Sequence, residues 1–187
     1  MANRVLWRRF SFFEKDVVSD NIQTELDGIP SCAKAEGGML VFGDANGNIS
    51  IADHGSQFSE VKKFKAFRGE VKACSYLFDP ANHRRQFVIA VGDDSRPRIA
   101  ADGTVIPSIT SSFVVKIFNV ADMSRPVNAF LASPGMEASA ILTSFAVMPD
   151  GSQIAIGFSN RAILLFSGSF LKEGAAQRQV QVSTIIN

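Results

Sequence analysis

Cysteine and net charge are both scarce in this sequence, and their scarcity excludes several classes of protein. The 187 residues include two cysteines, Cys32 and Cys74, with no CxxC or Cys/His spacing. The sequence therefore predicts neither a disulfide framework nor a zinc site, and it favours free thiols in a reducing compartment. With 19 basic and 18 acidic residues the formal net charge is +1, so the bulk attraction that draws proteins to nucleic acid or anionic membranes is missing.

Long hydrophobic runs are absent as well. The longest apolar stretches, such as 87–91 and 162–166, have the length of strands and fall far short of the roughly 20 residues that a membrane helix requires. Near the start, Arg8-Arg9 precedes several phenylalanines, but Glu14-Lys15-Asp16 interrupts the apolar stretch that an export signal needs. We therefore expect a mature cytoplasmic protein that begins with Met1.

The residues that are present indicate an all-β globular chain. Hydrophobic residues make up 46% of the sequence and include 16 phenylalanines, enough to bury one sizeable core. Helical periodicity is almost absent. Short runs of Val, Ile and Phe, bounded by Gly, Asp, Asn and Pro, recur instead from about residue 38 to about residue 166, which is typical of strands.

Three of these runs superimpose as an internal repeat. Each ends in a glycine, and we take Gly43, Gly92 and Gly157 as equivalent. A polar turn and a second apolar strand follow each glycine, and in these second strands we take Ile49, Val115 and Ile163 as equivalent. In the first repeat the Asn46-Gly47 pair favours a type I′ hairpin. The first spacing is 49 residues, and the second falls from 65 to 48 when an insertion, which we interpret as a long loop over 94–112, is discounted.

Repeats of this length with about four strands each are typical of β-propeller blades. Further strands are predicted near 71–78 and 141–148, with outer strands near 64–67 and 128–131. The predicted fold is thus a partial WD40-like β-propeller within a single domain, 1–187, with about three four-stranded antiparallel blades in a ring that is not closed. The blade units are about 38–67, 71–131 and 141–172, and 174–187 is either a frayed strand or a tail. We expect either a truncated product or one part of a larger protein.

The candidate sites each have a simpler structural interpretation. Asp44-Ala45-Asn46-Gly47-Asn48 resembles part of a calcium loop, but the closing glutamate is missing, so a hairpin turn is preferred. We interpret Asp93-Asp94 either as a paired acid or metal site or as the solvated start of a loop. His54 and His83 lie in polar, loop-like contexts without a helical i, i+4 partner. Because nucleophile, phosphate-binding and dinucleotide motifs are missing too, we predict no catalytic, cofactor-binding or metal-binding residue, no enzyme activity, no small-molecule substrate and no nucleic-acid partner.

Basic residues form two local groups, and the first, between residues 62 and 72, is the candidate charged surface. A second basic group is His83-Arg84-Arg85. The first group suits an acidic partner or a weak peripheral contact with phospholipid head groups, and it equally suits a solvated outer strand protected against edge pairing. Its members are Lys62, Lys63, Lys65, Arg68 and Lys72.

The order of several motifs along the chain resembles a known family. The opening Trp7-Arg8-Arg9-Phe10-Ser11-Phe12-Phe13-Glu14-Lys15 is the most specific of these motifs, and Leu40-Val41-Phe42-Gly43-Asp44, Val115-Lys116-Ile117-Phe118-Asn119 and Ile154-Ala155-Ile156-Gly157-Phe158 follow in order. Together they are similar to the N-terminal region of the vacuolar protein sorting-associated protein 11 family. Phe118 and Phe166 stand where many WD-type repeats carry tryptophan.

This resemblance implies a non-catalytic scaffold in the HOPS and CORVET tethering complexes, which link endosomal and lysosomal (vacuolar) membranes before fusion. It implies the other subunits as partners and a peripheral location on late endosomes and lysosomes. In that family an α-solenoid and a RING-type zinc domain follow the propeller, and this sequence contains neither. Two alternatives are a propeller from another trafficking or scaffold protein, of coat or nuclear-pore type, and a propeller enzyme.

Overall fold

Within the residues that the computed structural model describes, the chain forms 14 β-strands and no helix. These residues are 28–53, 61–95, 98–99, 105–106, 113–133, 140–173 and 181–185. Twelve strands form three four-stranded antiparallel sheets and two form a small hairpin. The described part of the chain has no helix that could span a membrane.

Each sheet is built from four strands in chain order, interrupted only by the hairpin. The first sheet contains β1 Pro30–Glu36, β2 Met39–Asp44, β3 Asn48–Asp53 and β4 Val61–Lys65. The second contains β5 Val71–Asp79, β6 Asn82–Asp93, β9 Phe113–Asn119 and β10 Asn128–Leu131. The third contains β11 Leu142–Val147, β12 Gln153–Phe158, β13 Ile163–Ser167 and β14 Gln181–Ile185. The hairpin of β7 Arg98–Ile99 and β8 Val105–Ile106 lies between β6 and β9.

The three sheets are the blades of a propeller whose ring is not closed. The first strand of every sheet forms one of its edges, and these strands lie side by side, with β5 in contact with both β1 and β11. Because β5 has a neighbour on each side, most of its residues are buried, whereas β1 and β11 keep several exposed positions. This arrangement confirms the predicted fold of three four-stranded antiparallel blades.

A β-bulge at the same place in every blade fixes the structural repeat. In the inner strand of each blade, which is its first strand in the chain, the pairing leaves out one residue, and the next residue pairs with Gly43, Val91 or Gly157. Those three positions also pair with Ile49, Val115 and Ile163 on the third strand. The equivalence predicted for these third-strand residues therefore agrees with the register. The equivalence predicted for Gly92 was wrong by one residue.

Correcting that position makes the repeat regular. Gly43 and Val91 are 48 residues apart, and Val91 and Gly157 are 66 apart. From Val91 to its third-strand partner is 24 residues, against 6 in the other blades. The insertion therefore adds 18 residues, and the second spacing is also 48. Gly92 is required instead by its close packing against the Phe67 ring.

Several elements differ from the sequence prediction. The strand Pro30–Glu36 had no predicted counterpart, because its small and charged residues lack the β-branched and aromatic signal. The segment treated as a loop over 94–112 contains the β7–β8 hairpin. His83 and its basic neighbours lie on β6, not in a loop, and 181–185, within the predicted strand or tail, pairs with β13 as the outer strand of the third blade.

The hairpin between β2 and β3 uses a different turn from the predicted type I′. A type I′ turn needs a positive φ at both central residues, but only Gly47 has one, at 83°. The Gly47 amide donates to the Asp44 carbonyl over 3.1 Å, and Gly43 then pairs with Ile49. The loop is therefore a type I turn followed by one left-handed residue.

Two apolar clusters hold the blades together. The cluster between the first and second blades includes Val41, Ile49, Tyr76 and Phe118. The larger cluster between the second and third blades includes Phe87, Ile117, Ile156 and Phe166. Phe118 and Phe166, which replace the tryptophan common in such repeats, are both almost fully buried, so both take part in joining blades.

Candidate functional site

The Asp44 carboxylate is fully used by the turn that it begins. One oxygen accepts the backbone N–H groups of Asn46 at 2.9 Å and Asn48 at 2.8 Å, and the other accepts the Asn48 side-chain amide at 2.8 Å. Burial opposes ionisation, but these hydrogen bonds outweigh it and hold the pKa of Asp44 below its ordinary value. The Asp44–Asn48 segment is thus a hydrogen-bonded hairpin turn.

A polar contact beside this turn ties the first blade to the second. The Lys116 ammonium group lies 3.0 Å from the Asp94 carboxylate, donates to the Ala66 carbonyl over 2.8 Å, and sits 4.9 Å from the centre of the Phe67 ring. Lys116 comes from β9 of the second blade, whereas Ala66 and Phe67 belong to the connection that follows the first blade. We call the group of Gly47, Phe67, Gly92, Asp94 and Lys116 the Lys116 joint.

Glycines allow the connection to pack closely within the Lys116 joint. A Cβ atom on Gly92 would lie 2.6 Å from Cγ of Phe67, and one on Gly47 would lie 2.3 Å from the Phe67 carbonyl oxygen. Both distances are far below van der Waals contact, so these positions require glycine. Phe67 is only 2% exposed, and its amide donates to the Gly47 carbonyl over 3.0 Å. The chain between the blades is therefore fixed in place.

The adjacent carboxylates Asp93 and Asp94 do not act as a pair. Asp93 accepts hydrogen bonds from the amide and hydroxyl of Ser95. Asp94 instead contacts Lys116 and accepts the Arg68 amide over 3.2 Å. Asp94 begins the loop that follows β6, as predicted, but its side chain is only 25% exposed and is paired with Lys116, so it is a structural residue of the joint.

The predicted basic cluster is divided among several surroundings. Lys62 and Lys63 are consecutive on β4 and so point to opposite faces of the strand. Lys65 is exposed and donates to the Asn46 carbonyl, and the exposed Arg68 lies in the connection that follows. Lys72 is on β5 and forms an ion pair with Glu70. The five residues therefore do not form one continuous basic face.

A cleft of about 310 Å³ lies between the second and third blades, at the end where β5 turns into β6. Its charged lining residues are largely paired. Asp79 contacts Arg85 at 3.2 Å, and Asp150 accepts the Ser152 amide and hydroxyl. The bonds from Ser152 lower the pKa of Asp150, so this carboxyl is ionised at neutral pH and is a poor proton donor.

The histidines and other candidate ligands form no metal site in the described part of the chain, where no three His, Cys, Asp or Glu residues come together. His83 is exposed on β6. His54 lies outside the described residues.

The structure brings together two residues that the sequence separated. Cys32 on β1 and Cys74 on β5 are both free thiols, as predicted, and their sulfur atoms are 3.7 Å apart across the contact between the first and second blades. The sequence offered no signal for this proximity. Lys116 did carry a signal, since it is a lone charge in the apolar strand Phe113–Asn119.

Comparison with known proteins decides the family. A model of the PEP5/VPS11 N-terminal family matches residues 7–184. The chain belongs to this family. The match confirms the resemblance seen in the sequence, and it places the Lys116 joint and both cysteines inside a PEP5/VPS11 N-terminal region.

Individual relatives are distant but extensive in coverage. The vacuolar protein sorting-associated protein 11 homolog of Dictyostelium discoideum is 23% identical over 179 residues, covering 93% of this chain and 17% of the relative. That of Mus musculus is 25% identical over 204 residues, covering 96% of this chain and 19% of the relative. The chain therefore spans less than a fifth of the length of these curated relatives.

A solved structure supports the fold alone. A chain in the crystal structure of a mitotic checkpoint complex superimposes with a TM-score of 0.55 at 14% identity, covering 88% of this chain and 39% of that chain. The PEP5/VPS11 N-terminal region described here is accordingly a set of WD40-type propeller blades.

Proposed function

We propose that this chain is a non-catalytic interaction module of an endosome and lysosome tethering complex of the HOPS/CORVET type. It would act in vesicle-mediated protein transport, membrane fusion and autophagy. One observation carries the proposal: the PEP5/VPS11 N-terminal match extends over residues 7–184. The matched relatives are named for vacuolar protein sorting, which supports a role at late endosomes and lysosomes, on the cytoplasmic side of their membranes.

The geometry of the blades suits a scaffold. Lys116 and Asp94 hold the connection between the first and second blades, and Asp44 and Asp150 are engaged in turns. Tethering needs no bond to be made or broken; it needs a stiff unit on which several weak contacts act together. Rims and loops of such a unit are available to other subunits of the complex.

Affinity capture from a cytosolic extract tests the proposal. The tagged chain of 187 residues is compared with a longer bait that includes downstream gene sequence, and with an unrelated folded propeller of similar size. We expect both related baits to recover other tethering subunits and the unrelated propeller to recover none. If a chain shown to be folded by circular dichroism recovers no such subunit, the proposed interaction module is refuted, including when the longer bait succeeds.

A weak peripheral contact with anionic lipid through the basic residues is the second part of the proposal. Lys62, Lys65 and Arg68 are exposed, Lys63 is partly buried, and Lys72 is paired with Glu70. The exposed members would therefore provide most of the attraction.

Flotation with phosphatidylserine-rich vesicles measures this contact. The double variant Lys62→Glu, Arg68→Glu should lose binding. The variant Arg84→Glu, Lys172→Glu changes the net charge equally at other exposed positions and should keep most of it. Equal loss in both variants, or no binding by the unmodified chain, would contradict a contact at this surface.

A further inference from the structure

We propose that Cys32 and Cys74 are a reversible oxidation site, at which peroxide forms a disulfide that links the first blade to the second. This inference goes beyond the proposed function and does not depend on it. It begins from the 3.7 Å distance between the two sulfur atoms. A disulfide bond is about 2.0 Å long, so the sulfurs need to approach each other by less than about 2 Å.

The surrounding backbone holds the two sulfurs face to face. Cys32 is the residue that follows the bulge in β1 and pairs with Gly43, and a Cβ atom on Gly43 would lie 2.7 Å from the Cys32 sulfur. The glycine therefore leaves the space that this sulfur occupies. Cys74 on β5 is held from the other side, where its sulfur lies 3.7 Å from the Val41 carbonyl oxygen.

Small oxidants have access to the pair. Cys32 is partly exposed, while Cys74 is 7% exposed and lines a cleft of about 150 Å³ together with Lys34, Glu36 and Phe145. A molecule of the size of hydrogen peroxide fits such a space. Peroxide can therefore reach Cys32 from its exposed side and Cys74 through the cleft, and Cys32 is the more exposed of the two thiols.

The electrostatics of the pair assign the same roles. When the Cys74 S–H donates to the Cys32 thiolate, this hydrogen bond, assisted by the Gly43 amide and by Ser31, lowers the pKa of Cys32, although burial opposes the effect. That same bond, followed by burial, raises the pKa of Cys74. Since a thiolate is the reactive form, Cys32 is the attacking cysteine and Cys74 the resolving one.

The reaction proceeds in two steps. The Cys32 thiolate attacks one oxygen of hydrogen peroxide, the O–O bond breaks, and Cys32 becomes a sulfenic acid while hydroxide leaves and takes up a proton. The Cys74 sulfur then attacks the Cys32 sulfur, the S–O bond breaks, and the departing hydroxide takes the Cys74 proton. The two thiols lose two electrons in total, and peroxide is reduced to two molecules of water.

Mass spectrometry of the intact 187-residue chain tests the proposal. After treatment with hydrogen peroxide the folded chain should lose two hydrogen atoms, yield a cross-linked peptide containing residues 32 and 74, and regain both thiols with dithiothreitol. The cross-link should form at least about tenfold faster than in the urea-unfolded chain, where the 42-residue separation leaves the thiols at a low effective concentration. The oxidised chain should also melt about 10 °C higher than the reduced chain.

Two single substitutions distinguish the roles. In Cys74→Ser the sulfenic acid on Cys32 has no resolving partner, so it should react with dimedone. In Cys32→Ser the labelling of Cys74 should be far weaker, because Cys74 is only 7% exposed. Persistence of both thiols in the folded wild-type chain, or a cross-link that forms equally fast when the chain is unfolded, would overturn the proposal. Because these two results come from the wild-type chain, they decide the matter even if a variant fails to fold. Labelling of Cys74 in place of Cys32 would overturn the assignment of the attacking residue.

Discussion

Replacing Lys116 by methionine should open the polar contact between the first and second blades. Methionine keeps most of the length and apolar character of the lysine side chain, but it removes the charge that contacts Asp94 at 3.0 Å and the donor to the Ala66 carbonyl. The substitution therefore leaves a partly buried carboxylate without its cation. It also ends the cation–π contact with Phe67.

The exposure of the two partners sets the size of the effect. Breaking one side of a fully buried ion pair costs about 3–5 kcal/mol, whereas an exposed pair contributes about 0–1 kcal/mol. The Lys116 and Asp94 side chains are 16% and 25% exposed, nearer to the buried limit, so water screens the contact only in part. We expect Lys116→Met to lower the free energy of unfolding by about 2–3 kcal/mol.

Urea unfolding followed by far-UV circular dichroism measures this change. Arg125→Met is the matched control, because Arg125 pairs with Glu173 at 2.9 Å while both side chains are more than two-thirds exposed; its cost should stay below about 0.5 kcal/mol. A double-mutant cycle with Asp94→Asn should give a coupling energy of about 1–2 kcal/mol. Equal costs for the two substitutions, or no coupling, would refute the view that the Lys116–Asp94 contact stabilises the joint.

Three further predictions concern the turns and the glycines. Gly47→Ala should cost more than about 2 kcal/mol in urea unfolding, because φ is 83° and the new Cβ would lie 2.3 Å from a carbonyl oxygen. Arg161→Gly should instead stabilise by about 0.5–1 kcal/mol, because glycine relieves the left-handed strain at a φ of 68°; a loss in both would contradict the turn geometry. Gly92→Ala should cost about 1–3 kcal/mol, since the Phe67 ring must move, and an unchanged midpoint would disprove that contact. Folding lowers the pKa of Asp44, so the ionised carboxylate contributes stability above its unfolded pKa near 3.8, and this contribution is lost as the pH falls through the lower folded value. Between about pH 4 and pH 2 the wild type should therefore lose more stability than Asp44→Asn. Parallel stability curves for the two proteins would refute this.

The fold was predictable because strong local signals recur in every blade. The second strand of each blade and the third strand that pairs with it are rich in Val, Ile and Phe, and the third-strand equivalence of Ile49, Val115 and Ile163 agrees with the register. The inner strand Pro30–Glu36 had no such signal. It is a strand because it pairs with β2 and contacts β5, and such tertiary contacts override weak local propensity.

The sites were less predictable, since they depend on which strands become neighbours. Cys32 and Cys74 belong to different blades, and only the contact between β1 and β5 brings their sulfurs together. Lys116 could have been singled out as a lone charge in an apolar strand, but its partners Asp94 and Ala66 are set by the path of the chain between blades. No sequence spacing encodes these distances.

The contacts between blades combine apolar packing with directional polar groups, such as the Ser31 hydroxyl that donates to the Val71 carbonyl between the first and second blades. Between the second and third blades, the buried Asn128 side chain donates to the Lys172 carbonyl over 2.7 Å and to the Phe170 carbonyl, beside the stacked rings of Phe130 and Phe170. Lys116 has the corresponding role between the first and second. Apolar burial is non-directional, so packing alone would allow blades to slide, whereas these hydrogen bonds fix their relative angle. The proposed tethering role depends on that rigidity, because weak contacts reinforce one another only when the scaffold holds them at fixed positions.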